Sequence, residues 1–176
     1  MSSIPTAPPR AQISLRELFL EAYGEEHART MRVLRAYPKD QAELRPHPKA
    51  RTARELIWTF VTEQGSVEKA LTTGFDWSRP PAMPKVPDSF DAVLSAFEGG
   101  HAHVAGLIRQ LRDDELYRTL QFPTGPGTIG EVPLIKVLWF FLYDQIHHRG
   151  QFSVYLRMAG GKVPSIYGPS LDEPWR

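Results

Sequence analysis

Four stretches of the chain carry apolar residues at the spacing of an amphipathic helix. Apolar side chains recur every three or four positions in each stretch, so they share one face of a helix with 3.6 residues per turn. The pattern predicts helices over residues 13–36, 52–73, 89–112 and about 131–158. No stretch shows the alternation of a convincing strand.

Local signals support the ends of these helices. Thr52 and Glu55 have the spacing of a capping box, in which each side chain bonds the backbone amide of the other residue. Pro133 suits the first turn of the fourth helix, because proline lacks the amide hydrogen that a first turn leaves unused. Gly160 and Gly161 end that helix.

Segments rich in proline and glycine separate the predicted helices. Residues 73–87, TGFDWSRPPAMPKVP, form a loop long enough for a crossover, and residues 122–130, FPTGPGTIG, form a turn region with a short extended piece. We therefore predict an all-α four-helix bundle with a long crossover between its second and third helices. Its C-terminal tail, residues 162–176, is irregular and packs back on the bundle. Residues 1–12 are predicted to be a flexible arm, and residues 13–176 a single domain.

Composition excludes several classes of function. The chain has 176 residues, of which 41% are hydrophobic, enough for one domain with an apolar core. Its 21 basic and 20 acidic residues leave no basic excess for binding nucleic acid. The absence of cysteine excludes disulfides and thiolate ligands. No run approaches the roughly 20 apolar residues of a membrane span, and the N-terminus lacks a signal-peptide core, so we expect a cytoplasmic protein without membrane partners.

Polar side chains interrupt the apolar faces of the first and third helices. Glu26 lies between apolar positions of the first helix, and Arg29 is close enough in sequence to pair with it. His101 lies within the apolar stripe of the third helix. We expect His101 to be a hydrogen-bonded core histidine, since buried polar groups usually have partners.

The second and fourth helices carry a sharper anomaly. Glu63 lies inside the apolar stripe of the second helix, and Asp144 and His148 lie one turn apart on an otherwise apolar sector of the fourth. Carboxylates are rarely buried unless they are paired or bind a cation. Asp144 and His148 form either an ion pair or part of a metal site, but one helix supplies only two ligands and a site needs at least three.

Two segments of the sequence resemble one known family. The segment DQIHHRGQFSVYLRMAGGKVPSIYGPS, residues 144–170, is similar to the C-terminal signature of the DinB family of damage-inducible, metal-binding four-helix bundles. RPHPKARTARELIW, residues 45–58, resembles the start of that family's second helix. The resemblance extends over most of the chain and is most specific at HHRGQ, residues 147–151.

The resemblance implies a metal site that this chain has altered. Members of the family typically bind a divalent metal through one histidine of the second helix and two of the fourth. The matching positions here are Thr59, Asp144 and His148, of which only the last is histidine. Threonine is a poor ligand for Zn or Ni, and aspartate is a harder donor than imidazole. The three-histidine site therefore cannot form.

Two outcomes remain open for this site. In the first, which we favour, the metal is lost and Asp144 and His148 persist in a buried polar network. In the second, Glu63, one turn after Thr59, turns inward and joins Asp144 and His148. Two carboxylates and one imidazole suit Mn or Fe better than Ni or Zn. The expected cofactor is thus one of these divalent metals, or none.

The same resemblance implies two competing functions, with no catalytic residue assigned in either. One is a non-catalytic, stress-associated homodimer that binds a small apolar ligand near Phe141, Tyr155 and Trp58. The other is a metal-dependent enzyme, similar to transferases or isomerases that activate a small thiol, or a hydrolase. The excess apolar surface of the fourth helix predicts a dimer interface that includes Phe140 and Tyr143.

Overall fold

A computed structural model describes residues 13–79 and 84–175, which form four long helices and one β-hairpin. The predicted arm, residues 1–12, lies outside the described residues. The helices are α1 (Leu15–Arg35), α2 (Ala53–Leu71), α3 (Phe90–Gln110) and α4 (Leu134–Met158). Short 3-10 turns span Lys39–Gln41 and Asp113–Tyr117. The hairpin strands are β1 (Thr119–Gly125) and β2 (Thr128–Pro133).

The predicted helix boundaries agree with the structure at three of the four helices. The capping box of α2 is confirmed, since Thr52 and Glu55 each bond the other's backbone amide. α4 ends before Gly160, whose φ of 78° is the left-handed conformation that glycine adopts at little cost. The amides of Gly160 and Gly161 donate to the carbonyls of Arg157 and Leu156. These bonds satisfy carbonyl groups that the end of the helix leaves free.

The hairpin corrects the predicted start of the fourth helix. β1 and β2 pair antiparallel around a turn at Gly127, whose φ is 68°. Residues 131–133 therefore belong to a strand, and α4 begins at Leu134. The sequence signal was weak because the buried positions of β1, Leu120 and Phe122, are only two, and Pro123 follows them directly.

The four helices pack as a bundle with two apolar clusters along its length. One cluster joins the first halves of α1 and α4 to the second halves of α2 and α3, and the other joins the opposite halves. α1 and α4 therefore run parallel to each other and antiparallel to α2 and α3. The connection between α2 and α3 must return along the bundle, which is the predicted crossover. The all-α four-helix bundle is confirmed, with the hairpin as a minor addition.

A layer of polar side chains separates the two apolar clusters. All four helices contribute to it, and none of its members belongs to either cluster. The polar layer consists of Glu26, His27, Glu63, Gln64, His101, Asp144, Gln145, His148 and Arg149.

Among the helices that the structure describes, none has the length and apolar character of a membrane span.

Arg149 is the most deeply buried charge in this layer, with 2% of its side chain exposed. Its Nη1 donates to Glu26 Oε2 at 2.6 Å and to Thr30 Oγ1 at 3.3 Å, and its Nη2 donates to the Tyr167 hydroxyl. The predicted pair of Arg29 with Glu26 is also confirmed, at 2.7 Å. Burial alone would raise the pKa of Glu26, but the hydrogen bonds from Tyr167 and Arg149 outweigh it and lower that pKa.

The C-terminal tail packs on α1 and α4 without regular structure, as expected. Arg32 donates to the Ser165 carbonyl at 2.9 Å and to the Glu173 carboxylate at 2.6 Å. Arg157 on α4 donates to the Asp172 carboxylate at 2.6 Å. These pairs are largely exposed, so each contributes little to stability alone. Together they hold the tail against the two parallel helices.

The hydrogen bond expected at His101 is not found on its Nδ1. The ring of His101 stacks on that of His27, with centroids 3.8 Å apart. Both Nδ1 atoms are buried and lack partners among the described residues. Burial lowers the pKa of His27 to about 3 and that of His101 to about 4. Both rings are therefore neutral near pH 7.

Replacing Arg149 with alanine is expected to destabilise the fold severely. The Arg149→Ala variant leaves the Glu26 carboxylate buried beside Thr30 without its main partner. The free energy of unfolding should fall by about 3–5 kcal/mol, as measured by urea denaturation near neutral pH. Arg29→Ala is the matched control. It removes a second, half-exposed basic partner of Glu26 and should cost about 1 kcal/mol or less. Equal losses in the two variants would contradict this account of Arg149.

Candidate metal centre

Three potential metal ligands meet where α2 and α4 pack together. Glu63 lies on α2, and Asp144 and His148 lie one turn apart on α4, facing α2. His148 Nε2 is 3.1 Å from Glu63 Oε1 and 3.7 Å from Asp144 Oδ1. One ligand atom from each residue lies within 4.8 Å of the other two. A single cation can therefore contact all three side chains after small rotations.

The cluster is closed on one side and open on the other. The side chain of Glu63 is 7% exposed and that of His148 is 14% exposed, whereas that of Asp144 is 37% exposed. Glu63 is thus held in the interior, and solvent reaches the cluster past Asp144. A site with three protein ligands and an open face has the layout of a catalytic metal site.

Glu63 has no adequate partner for its charge. Both of its carboxylate oxygens are buried, and neither has a well-directed hydrogen bond from the residues that the structure describes. Burial raises the pKa of Glu63 to about 7, although the neighbouring His148 opposes that rise. A carboxylate in this position needs a proton or a cation close by. This need is the strongest local sign of a metal site.

His148 is oriented by a neighbouring amide on the same helix. Gln151 Nε2 lies 2.8 Å from His147 Nε2, and Gln151 Oε1 lies 3.2 Å from His148 Nδ1. The amide nitrogen can only donate, so it donates to His147, and Oε1 then accepts the Nδ1 hydrogen of His148. The Nε2 atom of a neutral His148 therefore directs its lone pair towards the two carboxylates. Metal-binding histidines are held by the same kind of outer hydrogen bond.

The close approach of the Glu63 carboxylate is the main reason that the pKa of His148 is raised, against the opposing effect of burial. Without a cation, His148 and Glu63 are stable together only while they share a proton. A lone pair on Nε2 facing a carboxylate would be repulsive. A divalent cation between them would remove that repulsion and displace the proton.

Thr59 does not join the cluster. Its hydroxyl accepts a hydrogen bond from Arg51 Nη1 at 2.9 Å and donates to the Glu55 carbonyl at 3.3 Å. Bonding to the carbonyl four residues earlier is common for threonine in a helix, and it keeps the short side chain against its own backbone. Glu63, one turn further along α2, occupies the space beside His148 instead.

The aromatic residues expected around the site lie in different places. Phe141 lines a groove on one side of the cluster, and Tyr155 lines a second groove together with His148. Trp58 lines neither groove, because its Nε1 donates to the Pro84 carbonyl at 3.0 Å.

Sequence reasoning also missed the role of Gln151 in orienting His148. Its position three residues after His148 on the same helix was the available signal.

The three donors suit a divalent cation. Two carboxylate oxygens and one imidazole nitrogen form a harder set of donors than three imidazoles, and such sets favour Mn or Fe(II). The orientation of His148 by Gln151 and the lack of partners at Glu63 fit the same role. The residues present therefore fit a bound divalent metal.

The fold and the cluster together define a class of protein. A four-helix bundle with ligands converging from facing helices is a common scaffold for metal sites. The model of the DinB superfamily matches residues 22–152, and the chain belongs to this superfamily.

Several relatives match this chain along nearly their whole length. The uncharacterized protein YrdA of Bacillus subtilis (strain 168) is 27% identical over 157 residues, which cover 88% of this chain and 89% of YrdA. A DinB-like protein from Bacillus cereus ATCC 10987 superposes with a TM-score of 0.73 at 21% identity, covering 89% of this chain and 100% of that one.

For a third relative, a function has been suggested. YfiT from Bacillus subtilis is a probable metal-dependent hydrolase with an unusual four-helix bundle topology. It superposes with a TM-score of 0.67 at 18% identity, over 90% of this chain and 97% of YfiT. The likeness at this level of identity shows that the two chains share a fold.

The raised pKa of Glu63 predicts an unusual pH dependence of stability in the metal-free protein. The folded protein holds the Glu63 proton up to about pH 7, whereas an ordinary glutamate loses it near 4.5. The resulting stabilisation is full below about pH 4.5 and is lost as the pH rises through about 7. Between about pH 5.5 and 8, wild type should therefore lose on the order of 1–3 kcal/mol relative to Glu63→Gln.

Urea denaturation in the presence of a chelator, repeated across this pH range, measures the difference. Glu131→Gln is the control, since Glu131 is an exposed carboxylate with no ion pair among the described residues. Its difference from wild type should not change with pH. A constant difference for Glu63→Gln as well would contradict the raised pKa.

Proposed function

We propose that this chain is a metal-dependent hydrolase that binds one divalent cation through Glu63, Asp144 and His148. The observation that carries the proposal is the buried carboxylate of Glu63, which lacks a well-directed hydrogen bond beside the Nε2 of His148. The relative YfiT, a probable metal-dependent hydrolase of the same fold, supports the reaction class.

A polar network without metal explains the same residues less well. In such a network His148 would satisfy its carboxylate partner through a directed hydrogen bond. Here the closest approach is 3.1 Å, yet both oxygens of Glu63 remain without such a bond. Leaving a buried acceptor unsatisfied costs about 1–3 kcal/mol. Coordination of a cation by Glu63 removes that cost.

Each of the three residues has a distinct task in the proposed reaction. Glu63, enclosed by the bundle, holds a fixed negative charge against the cation. His148 supplies Nε2 as a ligand because Gln151 keeps the hydrogen on Nδ1. Asp144 lies at the open face, where one carboxylate oxygen can bind the cation and the other can accept a proton from an approaching water. When bound, the cation would supply Lewis acidity, which would polarise a substrate carbonyl and make water more acidic.

The donor set favours hydrolysis over the activation of a thiol. Hydrolysis places the hydroxyl group of water on the acyl carbon and its proton on the leaving oxygen or nitrogen, so no redox partner is required. Thiolate is a soft ligand that binds best to metals held by soft or borderline donors. Two carboxylates make a harder site, to which water and carbonyl oxygens are better matched.

Metal titration tests the proposal directly. The protein, purified without a histidine tag and treated with chelator, should bind one Mn²⁺ or Fe²⁺ per chain in calorimetric titrations. Glu63→Gln and His148→Ala should each weaken binding by about 10–100-fold or more, because each removes one of three ligands. The same variants should lose any Mn²⁺-dependent hydrolysis of 4-nitrophenyl butyrate.

Glu68→Gln is the matched control, because Glu68 is an exposed carboxylate on the same helix that pairs with His103 outside the cluster. It should bind Mn²⁺ like wild type. A wild-type protein that binds none of Mn²⁺, Fe²⁺, Ni²⁺ or Zn²⁺ at micromolar concentration would sink the proposal. It would favour the polar network that has lost its metal.

Restoring the family's ligand types should change the metal preference. The double variant Thr59→His with Asp144→His places imidazoles at the two positions where this chain departs from the three-histidine pattern. Added nitrogen donors should raise the affinity for Zn²⁺ and Ni²⁺ over that for Mn²⁺ by at least about tenfold relative to wild type. Competition titrations of each metal against Mn²⁺ measure the ratio. An unchanged ratio would show that the wild-type carboxylates do not set the preference.

A further inference from the structure

An aromatic groove of about 620 Å³ lies between α2 and α4, and its nearest lining residues on these helices are three positions from Glu63 and Asp144. The crossover after α2 supplies one wall, strand β1 a second and the first half of α4 a third. Two of its rings are unusually open to solvent, since Trp77 is 41% exposed and Phe140 is 49% exposed. The walls are formed by the rings of Phe75, Trp77, Phe122, Phe140 and Phe141.

The groove is built from rings that hold one another in place. Phe75 lies 5.2 Å from Trp77, and Phe122 lies 5.3 Å from Phe140, measured between ring centroids. The indole Nε1 of Trp77 donates to the Gln121 carbonyl of β1 at 2.7 Å. Mutual packing of this kind preforms an apolar surface, which suits a flat or extended apolar ligand.

The rim of the groove carries an excess of positive charge. Lys69 and Arg79 both line it. Lys69 is exposed, and its side chain makes no ion pair with any other described residue. Asp76 is the only acidic residue among the described residues of the lining, and its carboxylate accepts hydrogen bonds from the amide and hydroxyl of Ser78. The unpaired charge of Lys69 therefore complements an anion.

The groove runs away from the metal centre along the helices that build it. Ser66, which lines the groove, follows Glu63 by three residues, and Phe141 precedes Asp144 by three. At a rise of 1.5 Å per residue, each separation is about 5 Å along its helix. Lys69 lies six residues beyond Glu63, or about 9 Å along α2. The metal centre and Lys69 are therefore at opposite ends of the aromatic walls.

From this arrangement we infer that the groove binds a small carboxylate with an aromatic or short apolar body. The carboxylate pairs with Lys69, the body packs between Trp77 and Phe140, and the opposite end reaches Asp144. This inference deepens the proposed function, because an acyl bond at that end would be the one hydrolysed. Binding itself does not require the metal, so the groove can be tested in its absence.

Three matched probes separate the roles of charge and apolar surface. 4-Phenylbutyrate, 4-phenylbutanol and 4-phenylbutylamine share one body and differ in the charge of one end. Calorimetric titration of the metal-free protein should give tightest binding for the carboxylate. The alcohol should bind about three- to fivefold more weakly, the equivalent of one exposed ion pair, and the amine more weakly still.

Variants assign these effects to residues. Lys69→Gln should reduce the affinity for 4-phenylbutyrate to that for the alcohol, without changing the affinity for the alcohol. Lys136→Gln, an exposed lysine of α4 that does not line the groove, should change neither. Phe140→Ser should weaken both probes by about tenfold, because it removes one apolar wall. Circular dichroism checks that each variant remains folded.

Equal binding of the three probes, or equal effects of Lys69→Gln on carboxylate and alcohol, would refute the inference. The inference would also be refuted if the wild-type protein binds no probe and is a dimer by light scattering, whereas the Phe140→Ser variant is a monomer. In that case a second copy of the chain covers the groove. If Glu63→Gln retains the binding of 4-phenylbutyrate while wild type fails to bind metal, only the metal centre is refuted.

Discussion

The layer of polar side chains across the middle of the bundle is the constraint on which the rest of the structure depends. It interrupts the apolar core, so every helix must place its polar residues at the same height. If the helices were misaligned, the buried charges of Arg149 and Glu26 would lose each other as partners, and a buried charge without its partner is among the most destabilising features of a fold. A slip of one helix relative to the others would bury these groups against apolar side chains. The layer therefore fixes the register of the bundle.

The candidate metal centre is part of the same layer and is held by the same packing of the four helices. His148 and Arg149 are adjacent on α4, so their side chains point about 100° apart around the helix. Arg149 reaches α1 and binds Glu26, whereas His148 reaches α2 and approaches Glu63. The buried ion pair thus sets the rotation of α4 that aims His148 at α2. A site on rigid helices, held by a structural network behind it, keeps its ligands in place more precisely than a site on loops.

Periodicity predicted the helices because apolar positions were repeated over about five to seven turns in each. The same signal identified Glu63, Asp144 and His148, since a polar residue inside a long apolar stripe is conspicuous. The hairpin has only Leu120 and Phe122 as buried positions in β1, so the sequence predicted a turn region with a short extended piece there and no paired strands. The groove was beyond prediction for another reason. Phe75, Phe122 and Phe140 are far apart in sequence, and only the crossover and the hairpin bring them together.

If a cation binds as proposed, Glu63 takes the ligand position on α2 that the short side chain of Thr59 cannot fill. Four residues along an α-helix return to within about 40° of the same direction and advance about 6 Å. A glutamate at the later position has a side chain long enough to turn back towards the original ligands, which threonine cannot do. With aspartate at the second position, the proposed site has oxygen donors where the resemblance implies nitrogen donors, and it keeps His148. The location of the site is then set by the bundle, whereas the hardness of its donors, and hence its chemistry, is set by two side chains.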